Sequence, residues 1–197
     1  MASTSKTTLQ GHFDTGDRPT ASNFTDLVHS SFNHVSDHHA IVAAATHTNT
    51  ITAADMGTTT IPANTLMAGS VIKLTSAGHV VDQNGSDTLT PLLNLTHGST
   101  TVALATGAAL AVADNDEVLI ESTIQFYTVG ATGTFVAVTK INTDAAGAVT
   151  LVNTVTSTAV DTTAAITITA NFDWSAAHAD NEYQHLIHTA QVFGVNA

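Results

Sequence analysis

Between Thr20 and about residue 39, apolar residues recur at spacings of three and four: Phe24, Leu27, Val28, Phe32 and Val35. That period places them on one stripe of a helix of about four turns. Asp26, Ser30, Asn33 and Asp37 bound the stripe, and Thr20, directly after Pro19, is positioned to cap the first turn through its hydroxyl. A helix this short is marginal alone, so its stripe is expected to dock on its own domain, on copies of itself or on a partner. Residues 1–19 are polar, carry Gly11, Gly16 and Pro19, and read as an extended arm. Residues 40–57 are rich in alanine and threonine and read as a linker or a first weak strand.

From Thr58 the period changes to two. In Ser70–Thr75, Val71 and Lys73 fall on one face and Ile72 and Leu74 on the other. Gly78 reads as a tight turn before His79-Val80-Val81, and Asn84-Gly85 as a second turn. Leu89–Thr96 reads as a strand whose Pro91 places it at an edge or a bulge. Strands are further expected at 100–105, 118–129, 135–141, 149–155, 165–172 and 185–193, with turns at Gly98-Ser99, Asp114-Asn115-Asp116 and Gly130 to Gly133. No helical pattern separates these strands and no fixed-period repeat is visible. The chain is therefore expected to be mainly β, an antiparallel β-sandwich or jelly roll. An N-terminal arm (1–19) and an amphipathic helix with linker (20–57) precede that sandwich (58–197).

Composition sharpens this picture. The chain has 31 alanines and 36 threonines among 197 residues. Val, Ile, Leu and Phe make up about a quarter of it, enough for a core and above the level that signals disorder. Threonine suits the outward side of pleated strands. Charged residues are only 10%, with 16 acidic against 4 basic (Lys6, Arg18, Lys73, Lys140), a formal charge of −12. Four cations are too few for the phosphate contacts of a DNA-binding domain, so no nucleic-acid partner is expected. The absence of cysteine excludes disulfides and thiolate-bound zinc. The polar start, Met1 to Lys6, has no apolar signal core, and no apolar run is long enough for a spanning helix. Synthesis in the host cytoplasm and no membrane partner are expected.

The candidate chemistry is sparse. Eleven histidines are present, five of them (His29, His34, His38, His39, His47) in or after the helical segment. His34 and His38 are four apart and would share a helix face at metal-ligand spacing. No Asp or Glu completes the set and no His-Glu-x-x-His pattern exists, so no metal or other cofactor is expected. His185 and His188 are expected on opposite faces of the last strand, and His79, His97 and His178 in or near exposed turns. Asp114-Asn115-Asp116-Glu117 lacks the spacing of a calcium loop and reads as a turn. No nucleophile elbow or phosphate-binding glycine loop is present, and no catalytic residue is assigned. Trp174 reads as a half-buried core residue or a sugar platform, and Tyr183 as a second possible sugar contact.

Two groups of segments carry a resemblance. Phe13-Asp14-Thr15-Gly16-Asp17-Arg18-Pro19-Thr20 followed by Asn23-Phe24-Thr25-Asp26-Leu27-Val28 resembles the N-terminal segment of tailed-bacteriophage fibre and appendage proteins. Thr60–Leu66, Ala68–Ile72, Gly130–Thr134, Val160–Ala165 and Trp174–Ala177 look like a recurrent phage virion β-domain. The resemblance implies a virion surface protein, often trimeric, with a jelly-roll-like domain. His29 and His34 stand where helices of that family usually carry acids, and no receptor-binding tip or depolymerase domain is expected after the sandwich. Three functions follow as expectations. The first is a homotrimeric capsid decoration (cement) protein bound to the major capsid protein on the outer shell. The second is a short tail fibre held by a tail or portal-proximal protein. The third, a carbohydrate-active or lytic enzyme on a sandwich scaffold, is disfavoured, and no enzymatic activity is expected. In the first two, Phe24, Leu27, Val28, Phe32 and Val35, with Lys6 and Arg18 in the arm, form the partner or oligomer interface. An acidic, threonine-coated exterior suits the outside of a DNA-filled shell.

Overall fold

A computed structural model describes residues 36–39, 45–144 and 150–195. Its strands are β1 (Ser36–His39), β2 (Ala45–Thr48), β3 (Ala54–Ile61), β4 (Leu66–Asp82), β5 (Leu89–His97), β6 (Thr100–Thr106), β7 (Glu117–Thr128), β8 (Gly133–Thr143), β9 (Thr150–Val160), β10 (Ile166–Trp174) and β11 (Glu182–Val195). They form two antiparallel sheets. The larger has the order β1-β11-β4-β7-β8-β9, with β2 also on β11, and the smaller has the order β3-β10-β5-β6. The expected β-sandwich is present.

A hairpin of β4–β11 rolled up as in a jelly roll would pair β4 with β11, β5 with β10, β6 with β9 and β7 with β8; all but the pair β6 with β9, which lie in different sheets, are present. β3 precedes that hairpin and pairs with β10. β3 to β4 and β10 to β11 both cross from the smaller to the larger sheet. The sandwich also takes in residues earlier than expected, since β3 runs through residue 58 and β2 lies on β11. Most of the expected helix, including Phe24, Leu27, Val28, Phe32 and Val35, lies outside the described residues, as do Lys6, Arg18 and His34. Its last turn is corrected, because Ser36–His39 is a strand on β11. Beyond Val35 the apolar stripe ends, and the Asp and His that follow are weak helix formers.

Alternation along the strands builds the core. Ile72, Leu74 and Val80 of β4 point inward, with Val118, Ile120, Ile124 and Phe126 of β7 beside them. They face Leu89, Leu93 and Leu95 of β5 and Ile166, Ile168 and Phe172 of β10. Phe172 stacks on Tyr183 with ring centres 4.2 Å apart, and Phe126 lies 6.0 Å from Phe135.

Two expectations for β4 and β5 are overturned. Gly78 does not turn the chain; it lies in the middle of the 17-residue β4. A Cβ there would run into the carbonyl oxygen of Gln184 and lie 2.6 Å from the Tyr183 hydroxyl, so glycine allows close strand packing rather than a bend. Pro91 sits in β5 between β10 and β6 rather than at an edge. It is tolerated because the β6 ladder stops at Thr106. Past that point the Pro91 carbonyl accepts a bond from the Gly107 amide at 2.8 Å, so the missing N–H breaks no ladder bond.

Candidate interaction surface and buried histidine network

The two outer faces of the sandwich differ in chemistry. On the smaller sheet, Thr60, Thr167, Thr96 and Thr101 lie in one cross-strand row, and Thr58, Thr169 and Asn94 in the next. Their side chains bond one another: Thr58 to Thr169 at 3.4 Å, Thr96 to Thr101 at 3.0 Å, and Asn94 to Asn171 at 3.0 Å. This is the hydroxylated exterior that the threonine count suggested.

On the larger sheet the outward rows are much more apolar. One row runs Phe193, Val71, Gln125, Val136. The next runs Gln191, Lys73, Thr123, Val138, Thr154, and another runs Thr189, Thr75, Glu121, Lys140, Val152. Val152 is 60% exposed, Tyr127 53% and Val138 43%, and Met67 and Val129 are exposed as well. Lys73 and Lys140, the only basic residues among the described ones, both lie on this face. They border a shallow depression of about 340 Å³ together with Glu121 and Val138. The Lys73 ammonium sits 5.8 Å from the centre of the Phe193 ring.

Charge is also segregated along the strands. At one end, loops 83–88, 107–116 and 175–181 meet. The Asn181 side chain donates to Asp87 and to the Ala176 carbonyl, and Leu89 and Leu110 exchange backbone bonds. Asp82, Asp87, Asp114, Asp116, Glu117, Asp144, Asp180 and Glu182 gather here, eight of the sixteen acids of the chain. Asp114-Asn115-Asp116 is the expected turn. Asn115 has φ +69°, and the Asp116 carboxylate accepts from the Ala113 amide at 2.6 Å. At the other end, loops 62–65, 129–132 and 161–165 are tied by Asn64 N–H to Thr162 O (2.9 Å) and Thr162 N–H to Gly130 O (3.0 Å). Asp161 is the sole carboxylate in these loops. β11 runs from the acidic end, where Glu182 faces Asp82, to the carboxylate-poor end, where Val195 faces Leu66. β1 is antiparallel to it, with Ser36 opposite Val192 and His39 opposite Ala190. Ser36, where β1 begins, therefore lies toward the carboxylate-poor end.

Between the sheets lies a polar network that sequence alternation did not foresee. His185 and His188 were expected on opposite faces, yet both are buried. The cause is a bulge. His185 pairs with Gly78 and Ile187 with Ala77, so Leu186 is an extra residue that shifts the alternation by one. Leu186 and Ile187 both stay outside. Gly57 on β3 leaves room for the rings, since a Cβ there would lie 2.6 Å from atoms of both histidines.

The hydrogen bonds then follow in order. His185 Nδ1 lies 3.0 Å from the Met56 carbonyl, which only accepts, so this nitrogen carries the proton. Nε2 of the neutral ring accepts from the Ser76 hydroxyl at 2.7 Å. Ser76 in turn accepts from His188 Nδ1 at 3.4 Å, and His188 Nε2 accepts from the Thr59 hydroxyl at 3.0 Å. With both rings neutral, one consistent chain joins β3 of one sheet to β4 and β11 of the other. Burial holds His185 below the ordinary imidazole value, partly opposed by its bond to Met56. The Ser76–His185 pair has the spacing of a nucleophile and its base. Both are fully buried, and a backbone carbonyl stands where a carboxylate would orient such a base.

The other singled-out residues are placed as follows. His38 lies in β1, a strand, which removes the helical spacing to His34. His47 is buried in β2 and burial lowers its pKa, with the nearby Asp173 charge opposing. His79 is half-buried within β4, and His97, also half-buried, accepts from the Asp161 amide at 3.2 Å. His178 is exposed near Asp180, at 3.6 Å. Trp174 and Tyr183 are fully buried, so neither is a sugar platform; the Trp174 indole donates to the His47 carbonyl at 3.4 Å.

No protein-family model matches the sequence, and no curated protein matches it. Among solved structures, a chain in the structure of infectious bursal disease virus, Gt strain, aligns with 81% of this chain at 9% identity and a TM-score of 0.32. The alignment spans 31% of that chain, and a likeness this low assigns this chain neither a fold family nor a function.

Proposed function

We propose that this chain is a structural protein of a phage virion, a homotrimeric capsid decoration protein that binds the major capsid protein on the outer shell. The observation that carries the reading is the separation of surfaces. One outer face is hydroxylated and one end acidic, as solvent-facing surfaces would be. The other face, at its carboxylate-poor end, offers aliphatic side chains on the side where β1 begins. Contact surfaces are depleted of charge at their centre, and burying such side chains yields roughly 25 cal/mol per Å². The phage-like segments 13–28 and 60–72 support the same reading.

A short tail fibre is the second reading, favoured by the fibre-like segment Phe13–Val28. The aromatic residues expected to serve its receptor knob, Trp174 and Tyr183, are buried. Quantitative mass spectrometry of purified particles tests both. Decoration predicts copy numbers in the hundreds and labelling over the head. A handful of copies confined to the tail favours the fibre, and absence from particles overturns both. The expected helix stripe has its own expected outcome: Phe24→Asp with Leu27→Asp leaves the β-domain folded and abolishes incorporation.

A further inference from the structure

We infer that the carboxylate-poor half of the outer face of the larger sheet is where a second copy of this chain packs. The inference rests on the homotrimeric reading above and names the surface that builds the trimer. Three observations converge. First, two copies of a chain with formal charge −12 repel, and the acids are concentrated at the opposite end, so this half is where copies approach at least electrostatic cost. Second, Met67, Tyr127, Val129, Val136, Val138 and Phe193 lie here, most of them exposed, on a sheet face that would be polar if it faced water. The smaller sheet, built from the same composition, carries mostly threonine and asparagine in its outward rows, with Leu92 and Ala103 among them.

Third, the electrostatics favour a copy of this chain as the occupant. Lys73, Glu121 and Lys140 lie together on the face, so each copy brings both signs of charge to it and a lysine of one copy can pair with Glu121 of the next. Such a contact, between different residues of the two copies, is heterologous, the kind that closes into a ring. Ser36, where β1 begins, also lies toward this side.

Sedimentation equilibrium on the full chain, with two variants, tests the inference. Wild type is expected at three times the 20.2 kDa chain mass. Val138→Glu with Tyr127→Glu, both outward and exposed, is expected to sediment at the single-chain mass with an unchanged circular dichroism spectrum. Ser86→Glu, which adds one negative charge at the acidic end, keeps the wild-type mass. The absence of cysteine allows a second measurement that leaves the charge alone. A single thiol from Val138→Cys should be alkylated about tenfold more slowly in the oligomer than one from Ile51→Cys, which lies outside this face. A trimer that persists in the double-glutamate variant, or equal alkylation rates, overturns the inference and leaves the trimer standing. A monomeric wild type overturns the homotrimeric reading and the inference with it.

Discussion

Gly57 and Gly78 are small because histidine and tyrosine rings from β11 occupy the space above them. At Gly78 an added methyl group would meet the Gln184 carbonyl and the Tyr183 hydroxyl; at Gly57 it would meet both histidines. Gly57→Ala is expected to cost about 2 kcal/mol, from overpacking and a disturbed histidine network, read as a lower urea midpoint with an unchanged slope. His185 adds a pH dependence. The unfolded ring takes up its proton near pH 6.5, and the buried ring only at lower pH. Its contribution to stability is complete above that value and declines as the pH falls below it. Acidification also relieves repulsion among the carboxylates, so the comparison that isolates the ring is with His185→Gln. Between pH 7.5 and 5.5 the thermal midpoint of wild type should fall relative to that of the variant. Parallel curves would refute the assignment.

At the scale of elements, one extra residue decides what β11 contributes. Leu186 lies at the bulge and points outward, so Leu186→Ala is expected to change stability by no more than about 0.5 kcal/mol. Deleting Leu186 leaves His185, Ile187 and His188 in strict alternation, inward, outward, inward, so both histidines keep their places opposite Gly78 and Ser76. That deletion is expected to cost no more than about 1 kcal/mol in urea unfolding, whereas Ser76→Ala, which takes a partner from both rings, is expected to cost about 2 kcal/mol or more. Most strands, the Asn84-Gly85 and Asp114–Asp116 turns and the inward set Ile72 and Leu74 were legible, because they follow a period of two and the turn preferences of Asn, Asp and Gly. The bulge was not, because a single inserted residue leaves no mark on local hydrophobicity. Gly78 and Pro91 misled for a related reason. Each has a role set by what lies across the sheet, the β11 backbone for one and the end of β6 for the other.

The whole molecule is an acidic-ended sandwich, and that asymmetry has a measurable consequence. Glu182 lies opposite Asp82 in the β11–β4 ladder at the acidic end, where like charges facing each other are unfavourable. Glu182→Gln is expected to raise stability by about 0.5 kcal/mol at low ionic strength. The gain should shrink at physiological salt, where the screening length is about 8 Å. A thermal-melt series with and without added salt checks it. No gain at low salt would mean that these two carboxylates do not interact.

The amino-acid pattern alone determined that this chain is a threonine-rich, charge-poor, mainly β protein without thiols. Those properties are sums over residues or follow from a local period, and both are readable along the chain. Only the tertiary structure decided which histidines share a site, which outer face is apolar, and that half of the acids gather at one end. Each of these depends on residues far apart in sequence. A pairing register, a bulge and the choice of sheet for each strand bring them together, and those are set by long-range packing rather than by any local signal.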